Sequence, residues 1–244
     1  MRINYLSNAI GLILMDIGLV TFVPIIVALY YGEYGSILPF FTAGICALAV
    51  GDIMRRVVKN AGDINALNDI KRSEALIIAS FAWVLFAVIA AIPFLCSGFS
   101  LIDSLFEGVS GITTTGATIL TSFDIPKSLL FWRSFTQWLG GMGIIVLFIA
   151  ILPQFAVAGR QMFFAESPGP TEEKFTPRIR STASSLWKIY TFLTLLETIL
   201  LCIAGMPIFD AVCNSFSTLS AGGFSPNGHR SEEHTSELQS LAYL

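Results

Sequence analysis

The sequence predicts an all-α integral membrane protein in which transmembrane helices alternate with short half-helices and loops that enter the bilayer and return. Three observations carry this. Apolar residues make up 54% of the chain and charged residues only 13%, with a mean hydropathy of +0.72, far from the averages of soluble domains. Residues 101–120, LIDSLFEGVSGITTTGATIL, lie between two segments long enough to cross. A crossing helix needs about 20 predominantly apolar residues, and this stretch supplies roughly a dozen before consecutive threonines and a glycine. The same arrangement then recurs further along the chain.

The predicted spans, in order, are residues 8–31, 35–57, 75–96, 127–153 and 187–206. Asp16 lies inside the first and Glu197 inside the fifth, each read as a structural partner of other helices or a functional carboxylate. Arg55, Arg56, Lys59, Lys71 and Arg72 crowd the connection between the second and third spans, which places it in the cytoplasm together with the amino terminus. The fourth span is long, about 40 Å at 1.5 Å per residue. Its Trp132 and Trp138 read as interfacial anchors, its Arg133 as a snorkelling or carboxylate-paired residue. Gly140, Gly141 and Gly143 read as places of close approach, or alternatively as a hinge. Residues 160–180, with Lys174, Arg178 and Arg180, form a second polar, turn-rich loop on the same cytoplasmic side.

Within 101–120, residues 101–112 form a half-helix whose negative dipole end favours a cation beyond it. Thr113, Thr114, Thr115 and Gly116 would then offer backbone carbonyls in place of an ion's water shell, Gly116 supplying a conformation that other residues resist. Asp103 and Glu107 stand four apart on one face of the half-helix. They fit either a cation-enriching outer vestibule or a helix-start preference combined with a hydrogen bond to the filter backbone. A glycine after a short helix also fits an ordinary helix stop.

The repeat decides between pore and helix stop. Asp103 and Asp210, Ser110 and Ser217, and Gly116 and Gly223 are each 107 residues apart, which lays Ser220, Ala221, Gly222 and Gly223 onto Thr113 to Gly116. Two loops of this kind at one spacing are what a pore built by pseudo-symmetry requires. They supply only part of a ring, and potassium-sized coordination wants carbonyls from all sides.

The expected organisation is an amino-terminal two-helix extension (1–62), a first pore repeat (63–154), a cytoplasmic loop (155–181) and an incomplete second repeat (182–228). Residues 230–240, RSEEHTSELQS, within the polar tail 229–244, resemble the conceptual translation of a sequencing-library adapter and are set aside from fold reasoning. Cys46, Cys96, Cys202 and Cys213 show no metal or redox spacing and read as small buried hydrophobes. No acid/base pair, nucleophile constellation or metal cluster suggests an enzyme, no cofactor is called for, and nothing points to nucleic acid.

Residues 103–120, 131–153, 165–180 and 214–226 together resemble the TrkH-type membrane subunits of the Trk/Ktr/HKT superfamily of potassium transporters. The resemblance implies four span–loop–span repeats around one pore, with Gly116 and Gly223 as two of the four filter glycines and potassium held by backbone carbonyls at 113–116 and 220–223. It implies uptake across the bacterial inner membrane, surrounding lipid, a homodimer and a cytoplasmic nucleotide-binding ring that gates the pore, with the filter loops entering from outside. It also implies that two further repeats are missing and that this polypeptide alone does not conduct. Two other functions fit the residues: a secondary carrier coupled to protons through Asp16 and Glu197, and a non-transporting assembly subunit.

Overall fold

Apolar sequence of this kind can satisfy its backbone within a bilayer only as helix or closed barrel. The computed structural model describes residues 3–59, 72–163 and 176–227, and every regular element among the described residues is helical. The first expected span is two helices, α1 (Ile3–Val20) and α2 (Val23–Tyr30), with a break at Thr21 and Phe22. Pro24 causes the break. Its nitrogen cannot donate to the preceding turn, so it sits in the first turn of a new helix. A short 3-10 turn, Tyr34–Ser36, leads into α3 (Ile37–Lys59). Then follow α4 (Arg72–Cys96), α5 (Leu101–Ile112), α6 (Lys127–Phe163), α7 (Thr176–Ile203) and α8 (Ile208–Leu219).

Two boundaries differ from expectation by about ten residues. Helix α6 runs through Pro153 to Phe163, and α7 begins at Thr176, with Pro177 near its start where no intrahelical donor is lost. Residues 60–71, 164–175 and 228–244, which include Lys71, Lys174 and the suspect tail, lie outside the described residues.

Leu6–Tyr30, Tyr34–Arg56, Leu76–Cys96 and Thr182–Ile203 are long and apolar enough to cross a membrane. Their large apolar side chains remain exposed, among them Ile26, Leu38, Val84, Leu195 and Ile203. Facing lipid, that surface carries no hydrophobic penalty. The chain is an all-α membrane protein.

Helices α1 and α3 pack antiparallel along two pairs of facing glycines. A Cβ added to Gly11 would stand 2.8 Å from the Gly51 carbonyl oxygen, and one added to Gly18 would stand 3.0 Å from that of Gly44. Small residues let the backbones come this close, where dispersion holds helices together in lipid. Among glycines within the spanning helices, the sequence pointed only to those on α6.

The main core forms around α6. Leu129, Phe131, Trp132 and Phe135 pack with Phe40 of α3, Ala90 and Phe94 of α4 and Cys213 of α8. The two tryptophans expected at the membrane interface are packed against neighbouring helices instead. Trp132 is fully buried and donates its indole N–H to the Ala90 carbonyl at 3.0 Å. Trp138 donates to Thr194 Oγ1 at 2.9 Å and lies against Phe135, Tyr190 and Phe216. An indole N–H in a buried site requires an acceptor, and neighbouring helices provide one. Of the four cysteines only Cys213 is buried.

Glu33, in the turn after α2, caps the start of α6. Its Oε1 accepts from the Lys127 amide at 2.7 Å, and its Oε2 accepts from the Ser128 amide at 3.0 Å and the Ser128 hydroxyl at 2.7 Å. The carboxylate satisfies free N–H groups at the positive dipole end and ties the amino-terminal helices to α6.

Candidate ion site

The two helix-and-loop units match residue for residue. Helix α5 starts after Ser100, whose hydroxyl accepts from the Asp103 amide at 3.1 Å, and ends at Ile112. Helix α8 covers the positions 107 residues on, Ile208–Leu219. Past each helix the hydrogen bonds repeat: Thr114 N to Gly111 O and Thr115 N to Ser110 O in the first unit, Ala221 N to Thr218 O and Gly222 N to Ser217 O in the second. Thr114 and Ala221 adopt φ of 55° and 54°, and Gly116 and Gly223 adopt 77° and 81°. The equivalence begins earlier, at Gly98 and Gly205, with φ of 97° and 93°.

The loops also meet. A Cβ on Gly116 would collide with the Gly222 carbonyl oxygen and stand 3.6 Å from Gly223 Cα. Of the residues named from sequence, Gly116, Gly222 and Gly223 are therefore brought together. Thr113 and Thr115 are exposed, their hydroxyls 2.7 Å apart, and Thr113 Oγ1 also donates to Val109 O. Ser220 is buried and donates to the carbonyls of Phe216 and Ser217, while Ala221 is exposed. A cavity of about 440 Å³ opens beside the second loop, lined among others by Ser217, Ala221, Gly223 and Phe224.

Helix α6 is wedged between the units, and its small residues make this possible. A Cβ on Gly140 would strike the Ile112 carbonyl at the end of α5, and one on Gly141 would stand 2.9 Å from Ser220 Cβ at the end of α8. Gly143 faces the Trp83 ring at 3.3 Å. Close approach, rather than a hinge, accounts for all three.

Two polar side chains on the same face of α6 hold the loops. Arg133 Nε donates to Glu107 Oε2 at 2.9 Å and its Nη2 donates to Thr118 Oγ1 at 2.8 Å; the guanidinium carbon lies 4.2 Å from the Phe224 ring centre. Glu107 Oε1 accepts from Thr118 Oγ1 at 2.6 Å and from the Ile119 amide at 2.9 Å. At 1% and 2% exposure, Glu107 and Arg133 form a buried, fully engaged pair. This corrects the vestibule reading of Glu107: its carboxylate turns inward to the loop backbone, because a charge so buried requires a partner. Asp103 lies on the partly exposed side of α5, and its counterpart Asp210 accepts from the Asn227 amide at 2.9 Å.

Gln137, one turn beyond Arg133, is fully buried. Its Nε2 donates to Gly222 O at 2.9 Å and its Oε1 accepts from Phe224 N at 3.2 Å. The sequence reading passed over it, since a lone glutamine on an apolar helix has no spacing signal; an uncharged polar residue at membrane depth was the available clue. Of the two carboxylates in the expected spans, Asp16 is exposed on α1, whereas Glu197 on α7 is partly buried and hydrogen-bonds Thr218, near the end of α8 beside the second loop.

The TrkH family model, described as a cation transport protein, matches residues 40–231. The Trk system potassium uptake protein TrkH of Salmonella typhimurium is 40% identical over 233 residues, 92% of this chain and 46% of the relative. TrkG of Escherichia coli is 38% identical over 207 residues, 83% of this chain and 41% of the relative. The crystal structure of the potassium transporter TrkH from Vibrio parahaemolyticus superposes with a TM-score of 0.79 at 34% identity, covering 93% of this chain and 45% of that one. The chain thus spans about half the length of the curated relatives it matches. With the helix order, the repeated units and the family match all in agreement, the chain belongs to the TrkH family of cation transport proteins.

Proposed function

We propose that this chain contributes half of a potassium-conducting pathway across the inner membrane, with Thr113 to Gly116 and Ser220 to Gly223 forming two of the loops that line an ion filter. The observation that carries this is the meeting of Gly116 with Gly222 and Gly223, with Gly116 and Gly223 in matching left-handed conformations. Each loop follows the negative end of a half-helix dipole, which favours a cation where the loops converge. Backbone carbonyls there replace the ion's water. Relatives named as potassium uptake proteins support potassium as the ion.

On this reading α5 and α8 are re-entrant from the outer side, the amino terminus is cytoplasmic, and the ligand is the transported ion. A second copy and a cytoplasmic nucleotide-binding ring are the proposed partners. The test is rubidium and sodium uptake into proteoliposomes holding the complete protein, with and without Gly116→Ser. The substitution is expected to lower the rubidium-to-sodium ratio; an unchanged ratio rejects the filter assignment.

A further inference from the structure

The two loops share one backbone path but not one sequence: where the first reads Thr-Thr-Thr-Gly, the second reads Ser-Ala-Gly-Gly. The final glycine of each has a left-handed φ. The extra glycine, Gly222, has a different cause. A Cβ there would stand 2.5 Å from Gln137 Oε1 and 2.7 Å from Gln137 Nε2, so the carboxamide lies against the bare α-carbon. At the equivalent position of the first loop a threonine is accommodated.

The bracing differs in the same way. The first loop is held from its own half-helix by Glu107, whose Oε1 accepts from the Ile119 amide. The residue 107 positions later is Asn214, whose amide is 3.3 Å from Met206 Sδ. The second loop has no such carboxylate and is gripped by Gln137 of α6, the helix whose Arg133 also reaches Thr118 of the first loop. The Gln137 amide spans Gly223, bonding the carbonyl before it and the N–H after it. With both flanking peptides fixed, Gly223 is confined to one conformation. It faces the open cavity, with nothing within 4 Å of the place its Cβ would occupy.

We infer that Gln137 is a positioning and specificity-determining residue for the second loop, acting from the first repeat across the repeat boundary to set the direction of the carbonyls around Gly223. This rests on the transport reading above. Because Gln137 and Arg133 are one turn apart on α6, and the Arg133 guanidinium faces the Phe224 ring, a shift of that helix moves both loops together. The ion path is thereby coupled between repeats by two side chains of one helix.

The test is Gln137→Met in the complete protein, which keeps the side chain's length and removes both hydrogen bonds. Rubidium and sodium uptake into proteoliposomes are measured beside the melting temperature of the detergent-solubilised protein in potassium and in sodium. The expected result is a folded protein whose rubidium-to-sodium ratio falls roughly tenfold, the equivalent of one hydrogen bond's worth of discrimination. Its melting temperature should also rise less in potassium over sodium than that of the wild type. A ratio and a potassium-dependent rise equal to the wild type's overturn the inference. If the methionine variant does not fold, Gln137→Glu, which keeps the acceptor and loses the donor to Gly222, must show the same fall in ratio. Failure of both to fold overturns it too, since a residue that only aims one loop is not needed to assemble the bundle. Absence of rubidium uptake by the wild-type protein defeats the transport reading itself, and is distinct from all of these.

Discussion

Arg133 and Glu107, on different helices, form a buried ion pair with Nε and Oε2 2.9 Å apart, and their remaining polar atoms bond Thr118 and the Ile119 amide of the first loop. The pair braces the first loop at Thr118 and Ile119, just past Gly116. A charge at this depth that loses its partner is costly, whereas the intact pair contributes little net stability over an apolar substitute.

Arg133→Ala is therefore expected to destabilise the folded protein by about 3–5 kcal/mol, because it strands the Glu107 carboxylate. Arg133→Met with Glu107→Leu together should cost far less than the sum of the single changes, as measured by thermal unfolding in detergent. A strictly additive pair would mean that the two side chains do not interact.

Gly116 and Gly223 are expected to differ when replaced by alanine, although their φ values match. At Gly223 the added methyl meets open space and only the left-handed backbone penalty of roughly 1–2 kcal/mol applies. At Gly116 the methyl runs into the Gly222 carbonyl, so the loop itself must move. Gly116→Ala should lower the melting temperature further than Gly223→Ala; the reverse order would contradict the contact between the loops.

Gly222→Ala should be damaging while Gln137 is present and milder beside Gln137→Ala, which removes the carboxamide that the new methyl strikes. A double-mutant cycle of melting free energies should give a coupling within the range of about 0.5–3 kcal/mol known for contacting residues. Zero coupling would show that Gly222 is a glycine for some other reason.

Replacing the cap carboxylate, Glu33→Ala, should cost about 1–2 kcal/mol by freeing the first amides of α6, with the amino-terminal helices loosened first. Hydrogen exchange at Lys127 and Ser128 reports this directly. Unchanged protection there would reject Glu33 as the cap.

Asp16→Asn with Glu197→Gln separates channel from carrier. A channel needs no proton carrier at either position, and an amide at 197 can still hydrogen-bond Thr218, so rubidium uptake by the complete protein should persist in the double variant. Abolished uptake in a folded variant would favour proton coupling.

Local sequence determined much of this protein. Hydrophobic length marked four of the five expected spans, a twelve-residue stretch stopped by threonines and glycine marked α5 to the residue, and a constant spacing of 107 carried the reading to α8. These features are legible because helix formation and membrane partition depend on neighbours in the chain. The break at Pro24 was equally local, but the unbroken apolar run around it hid it.

What only the tertiary structure decided are the partners of buried polar groups. Glu33 found the start of α6, Glu107 turned to Arg133 rather than to a vestibule, and Gln137 took hold of the second loop. Each residue type announces that it needs a partner once water is removed. Which partner it meets depends on how helices distant in sequence cross, and that is fixed by packing contacts such as Gly140 on Ile112 and Gly141 on Ser220, which no local pattern encodes.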